Sequence, residues 1–266
     1  MTAGLAADGE RAGFGPGERI PTMTILRGAV ARLRRGGWRA AALGLAIFGA
    51  SAASDPLQKQ LGITDVMGPA YWAFLAGTMA VGALLGGLTT RLLVAGPAGW
   101  LRLDRGLAEY VAIMLAMAMT LAGIGVAYGA FAVRQFNRNG QADPQAALWL
   151  ALAAMALYAA AFYGWFRLSL WPVARLMGRR LDPRRAWLLM LRATRGMALG
   201  YLLAALPLVL LYAGAFASGG EAAVEAVPNW AGEFTVAVWG VASYAMVATI
   251  YQLRVEAPAT VASVFE

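Results

Sequence analysis

Neither cysteine nor histidine occurs among the 266 residues, and lysine occurs once, at Lys59. Without imidazoles and thiols there are no Cys/His zinc sites, no His-ligated haem, no iron–sulfur clusters, no thiol nucleophiles and no imidazole triads. Disulfides are excluded too, and with them any signal of redox compartment. Charged residues make up only 14% of the chain, and none falls in the middle of an apolar run, where a buried carboxylate is the usual carrier of ion coupling. Arg91, Glu109 and Glu233 all lie near the ends of such runs. Glu109 follows Arg105 by one helical turn, and the two are expected to pair.

What remains is strongly apolar. The chain is 60% hydrophobic with a mean hydropathy of +0.60, outside the balance of a soluble domain. Runs of about 20 residues with few charges recur, each long enough for a hydrocarbon core of about 30 Å. These features predict an all-α polytopic membrane protein with six transmembrane helices: 38–54, 69–90, 111–133, 146–166, 197–218 and 230–253. Residues 1–30 read as a mobile cytoplasmic tail, 31–256 as the transmembrane domain and 257–266 as a C-terminal tail. The first apolar run begins at Trp38 behind Arg32, Arg34, Arg35 and Arg39, so it reads as an uncleaved signal anchor. Pro69 suits a helix start, and Pro207 is expected to kink the fifth span. Gly82 with Gly86, and Gly125 with Gly129, are small residues four apart that let helix backbones approach closely.

Orientation follows from the basic residues in the loops. Arg and Lys total 19 in the N-terminal tail, the second and fourth loops and the C-terminal end, against 3 in the alternate loops. The positive-inside rule then places both termini in the cytoplasm of a bacterial inner (plasma) membrane. Tyr71, Trp72, Trp100, Trp165 and Trp230 fall near run ends, as an interfacial aromatic belt requires.

The densest basic segment is 167–195, with Arg167, Arg175, Arg179, Arg180, Arg184, Arg185, Arg192 and Arg195 against one acid, Asp182. Asp182-Pro183 has the form of an N-cap followed by a first-turn proline, so a helix is expected from Asp182 to about Arg195. On that helix Arg184, Arg185, Arg192 and Arg195 fall within about 100° of one another, opposite Ala186, Trp187, Met190 and Ala193. The expectation is an amphipathic helix in the cytoplasmic interface. Its arginines act as a topology determinant, or as a contact for anionic lipid headgroups or a protein partner. The candidate contact residues are Arg175, Arg179, Arg180, Arg184, Arg185, Arg192 and Arg195. Weaker basic segments, RLRRGGWRA from Arg32 and GWLRLDRGLAEY from Gly99, precede the first and third spans and suggest three units of basic segment plus helical hairpin. No nucleic-acid-binding module accompanies the charge.

The segment from Phe162 to Leu203 carries Arg167-Leu168-Ser169-Leu170, Pro172, a basic loop, then Thr194-Arg195-Gly196 before the next span. It resembles uncharacterised bacterial multi-spanning proteins related to the membrane domain of glycerophosphodiester phosphodiesterases. The GWLRLDRGLAEY segment is similar to a second element of those chains. That resemblance implies the fold and not hydrolysis, because no catalytic domain or carboxylate cluster accompanies it. The polar inventory points to a non-enzymatic scaffold or assembly partner without cofactor or metal. Its expected contacts are the lipid bilayer, anionic phospholipid headgroups, and a membrane protein partner or a second copy of the chain. The alternative is a lipid-handling or transport protein that uses the basic interfacial helix.

Overall fold

The computed structural model describes residues 18–139, 144–225 and 229–256. All regular structure among them is helical: α1 (Thr22–Gln60), α2 (Pro69–Ala95), α3 (Arg105–Asn139), α4 (Pro144–Leu168), α5 (Leu170–Leu176), α6 (Pro183–Leu189), α7 (Thr194–Glu225) and α8 (Asn229–Tyr251). A π-helical turn, Gln252–Glu256, extends α8. The chain is thus an all-helical protein with several helices suited to a membrane. Five candidate spans are long and apolar enough to cross one: α1, α2, Arg105–Gly129 of α3, Ala151–Leu176 and Trp230–Glu256. A sixth is reached only if α6 and Thr194–Pro207 count as one span bent by 74°. Pro207 lies inside α7, where its missing N–H removes an intrahelical hydrogen bond.

α1 is two helices joined at Gly37, whose φ of 52° and ψ of −136° are open to glycine and strained for other residues. Before the break, Ile25, Ala29, Arg32 and Gly36 are buried, a stripe at helical spacing. Arg27, Arg34 and Arg35 on the same arm are exposed. Residues 22–30, expected from sequence to be tail, are therefore helical, and Ile20 and Ile25 are fully packed in the core. Their burial is the reason: an apolar stripe ahead of the first long run had a surface to cover. Residues 1–17 and 257–266 of the expected tails lie outside the described residues.

The helix expected from Asp182 to Arg195 is shorter, ending at Leu189. Asp182 is its N-cap, its side chain accepting from the backbone N–H of Arg184 at 2.8 Å and Arg185 at 3.2 Å. The end is set by tertiary packing. Met190, Ala193 and Met197 are all fully buried, and the chain must turn there to enter α7. The Met190 carbonyl anchors that turn by accepting from the N–H of Ala193 and Thr194 and from the Thr194 hydroxyl at 2.7 Å.

The small-residue pairs divide. A Cβ at Gly86 would run into the Tyr244 ring of α8, and one at Gly125 into the Tyr158 hydroxyl of α4, whereas Gly82 and Gly129 face open space. One glycine of each pair permits a close approach. Gly86→Leu is expected to destabilise the bundle by about 1–3 kcal/mol through overpacking. Gly82→Leu is expected to be neutral or stabilising, because it gains helix propensity without a clash. Thermal denaturation of both variants in one detergent checks this contrast, and equal melting temperatures would count against the packing described.

Candidate functional site: the arginine-rich end of the bundle

The basic segments that are distant in sequence meet at one end of the helices. The start of α1, the end of α2, the start of α3, α5 and the end of α8 converge there, tied by arginine side chains. Arg32, 7% exposed, donates from Nε to Thr249 Oγ1 at 3.0 Å, from Nη1 to the Leu93 carbonyl at 2.9 Å and from Nη2 to Gln252 Oε1. Gln252 Nε2 donates in turn to the Val94 carbonyl at 3.0 Å. Leu93 and Val94 belong to the last turn of α2, whose carbonyls have no partner within the helix. Two side chains from elsewhere in the chain therefore close that helix end.

Arg91 works the same way on α5. Its Nη2 donates to Asp104 Oδ1 at 2.6 Å and to the Leu176 carbonyl, the last of α5, at 3.2 Å, and its Nη1 donates to the Arg102 carbonyl. Asp104 also caps α3, accepting from the Leu107 N–H at 3.0 Å. The Arg91 guanidinium and then the Leu107 N–H hold the Asp104 carboxyl below its usual range. Arg254 donates to the Glu18 carbonyl, joining the two ends of the described chain.

Arg167 is different. It is 1% exposed, lies over the Trp187 ring at 4.8 Å and the Tyr163 ring at 5.6 Å, and leaves Nε and Nη1 without a hydrogen-bond partner. The aromatic faces offset part of its desolvation, by about 0.5–2 kcal/mol.

Next to this network is a cationic cleft of about 490 Å³ lined by Arg105, Glu109, Arg175, Arg179 and Arg180 with Gly106 and Gly178. Its shape comes from two local devices. A Cβ on Gly106 would sit 2.9 Å from the Leu176 carbonyl and 3.0 Å from the Arg175 carbonyl, so glycine lets the first turn of α3 rest on the carbonyl end of α5. There the positive end of one helix faces the negative end of another. At the exit of α5, Gly178 has φ 74°, with Gly178 N–H bonded to the Arg175 carbonyl at 3.0 Å and Arg179 N–H to the Ala174 carbonyl at 2.8 Å. This is the Schellman arrangement, and it sets the course of the chain at Arg179 and Arg180. Glu109 is the cleft's one acid, 2.8 Å from Arg105 as expected and 3.7 Å from Arg175.

Of the seven arginines expected to form a contact surface, Arg175, Arg179 and Arg180 share this cleft. Arg184, Arg185, Arg192 and Arg195 are exposed and do not line it. The expected contact set lacks Arg105, the cleft's fourth arginine, and the buried Arg32, Arg91, Arg167 and Arg254. For Arg91 a signal exists: it stands inside TTRLLV, an apolar run in which a cation needs a partner. Among the described residues no group of three or more His, Cys, Asp or Glu is placed to hold a metal ion. No protein-family model, curated protein or solved structure matches the chain.

Arg91→Leu is expected to cost about 2–4 kcal/mol, because it leaves the Leu176 and Arg102 carbonyls and Asp104 without their donor. Arg167→Leu orphans no acceptor and is expected to stay within about 1 kcal/mol of the parent. Chemical or thermal unfolding in detergent reads both, and a larger loss for Arg167→Leu would refute the assignment. The Asp104 pairing also predicts a pH dependence. Its folded pKa lies below the unfolded value, so the contribution is full above the ordinary carboxylate range and is lost as pH falls through the folded pKa. The melting-temperature gap between the parent and Asp104→Asn should therefore narrow on acidification; a constant gap would show that the charge is not involved.

Proposed function

We propose that the chain is a polytopic protein of the bacterial inner membrane whose arginine-rich face binds anionic phospholipid headgroups, in a lipid-handling and non-enzymatic role. The cleft between α3 and α5 carries this reading. Four arginines, Arg105, Arg175, Arg179 and Arg180, surround one carboxylate there, an excess of positive charge suited to a phosphate-bearing partner.

In the same proposal there are six passages, with both termini cytoplasmic. The loop-charge asymmetry supports this, as does the meeting of Glu18 and Arg254 at the arginine-rich end. The arm Thr22–Gly36 and α6 then lie in the cytoplasmic interface, their apolar residues against the bundle and Arg27, Arg34, Arg184 and Arg185 toward headgroups. Nucleic acid has no place in this reading.

A second reading, a scaffold or assembly partner, draws on α4 and α7. Trp149 and Met155 on α4 and Leu202, Leu210 and Phe216 on α7 are more than half exposed, an apolar surface that lipid, another membrane protein or a second copy would cover.

The variant Arg175→Gln/Arg179→Gln/Arg180→Gln should lose its preference for phosphatidylglycerol over phosphatidylcholine in native mass spectrometry. At about 1 kcal/mol per charge the loss is roughly a hundredfold; an unchanged preference would remove the basis of the headgroup assignment. For the topology, a reporter active only in the periplasm should be silent when fused after Glu266. Activity at that position would sink the six-passage arrangement.

A further inference from the structure

A partly open cavity of about 310 Å³ lies in the arginine-rich half of the bundle, bounded by α1, α2, α3, α4, α5, α7 and α8. Its walls are mostly apolar, with Met114, Met117 and Leu121 of α3 facing Phe166 of α4 and Val247 of α8. No lining residue is charged. Arg91, next in sequence to Thr90, is bonded to the Arg102 and Leu176 carbonyls, and Arg167, next in sequence to Phe166, lies over the Trp187 and Tyr163 rings. Phe162 and Val236 in the wall are 41% and 50% exposed, so the space communicates sideways with the surroundings of the helices.

The polar groups of this cavity are hydroxyls and indole N–H groups, and three of them are committed to backbone. Ser169 Oγ donates to the Phe166 carbonyl at 2.9 Å, Ser243 Oγ to the Gly240 carbonyl at 2.6 Å, and Trp239 Nε1 to the Tyr201 carbonyl at 3.2 Å. Thr90 also differs from other helical threonines. Thr89, Thr120, Thr194, Thr235 and Thr249 each donate to the carbonyl four residues earlier, the usual resting place for a threonine in a helix. Thr90, 1% exposed, does not, and its Oγ1 has no hydrogen-bond partner. The Tyr110 hydroxyl faces it without reaching hydrogen-bond geometry. A buried hydroxyl left without a partner costs about 1–3 kcal/mol, and here the vacant direction adjoins an apolar space large enough for a small ligand.

We infer that this cavity holds one uncharged amphiphile from the surrounding bilayer, its carbonyl oxygen accepting a hydrogen bond at Thr90 and Tyr110 and its hydrocarbon lying along α3 and α8. The absence of a charged lining residue excludes a phosphate or carboxylate headgroup, because burial without a counter-charge is prohibitive. The site is separate from the cationic cleft, and neither assignment depends on the other.

The full chain, purified in mild detergent, is photolabelled with a diacylglycerol bearing a diazirine in one acyl chain, and the labelled residues are mapped by mass spectrometry. Label is expected at Met114, Met117 and Trp239. Gly240 lines the cavity and a Cβ there meets nothing within 4 Å, so Gly240→Leu fills the space while raising helix propensity. It should lower cavity labelling by about tenfold and leave label on outward α7 residues such as Leu210 unchanged. Gly214→Leu, at an exposed glycine with open space, should change neither. Thr90→Val, near-isosteric, should weaken labelling several-fold and give a second measure if Gly240→Leu does not fold. The inference is overturned if Gly240→Leu labels like the parent, if label is confined to outward faces as for annular lipid, or if no cavity label forms and the space holds water alone. It is equally overturned if phosphatidylglycerol carrying the same diazirine labels the cavity as strongly.

Discussion

The arginine-rich end is organised by guanidinium groups that satisfy helix-terminal carbonyls. The last carbonyls of a helix have no partner within it, and burying them unpaired costs about as much as losing a hydrogen bond each. Arg32 closes the end of α2 and Arg91 the end of α5. Both arginines are desolvated, and both recover that cost by meeting several acceptors at once. Asp104 links the two kinds of helix end, capping the start of α3 while pairing with the arginine that closes α5. These bonds give the loosely connected helices a common register at one end.

Consequences of that register run in two directions. Outward, α5 is held against the first turn of α3, and the glycine turn after it leaves Arg179 and Arg180 on the rim of a cleft that already contains Arg105 and Arg175. Inward, α5 also contributes Pro172 and Val173 to the wall of a cavity that has no charged lining residue. The same short helix thus contributes to a cleft lined by four arginines and to a cavity lined by no charged residue. A chain with so few ionisable residues separates a polar surface from an apolar interior by the placement of one short helix.

Much of this was legible in the residues, and the part that was not has a common character. The Arg105–Glu109 pair, the Asp182 cap and the Pro69 helix start depend on neighbours within a turn or two, and each is found as expected. Met190 to Ala193 contain no glycine or proline, so nothing local ends the helix from Asp182 before Arg195; the break there comes from burial against other helices. Residues 22–30 read as tail because the apolar stripe that continues to Gly36 is short and interrupted by arginines, one of which, Arg32, is itself buried. Arg32 bonds a residue 217 positions away, and no local pattern announces such a partner.

The all-helical, apolar class, the approximate runs and the uneven distribution of basic loops follow from the order of residues, since hydropathy, helical period and charge sum over adjacent positions. Only the tertiary structure decided which arginines are buried and which face outward, where α1 and the basic segment break, and that Thr90 is left facing a cavity. Those outcomes depend on whether a carbonyl, a hydroxyl or an apolar face finds its complement on another helix, a condition met across the fold and not along the chain.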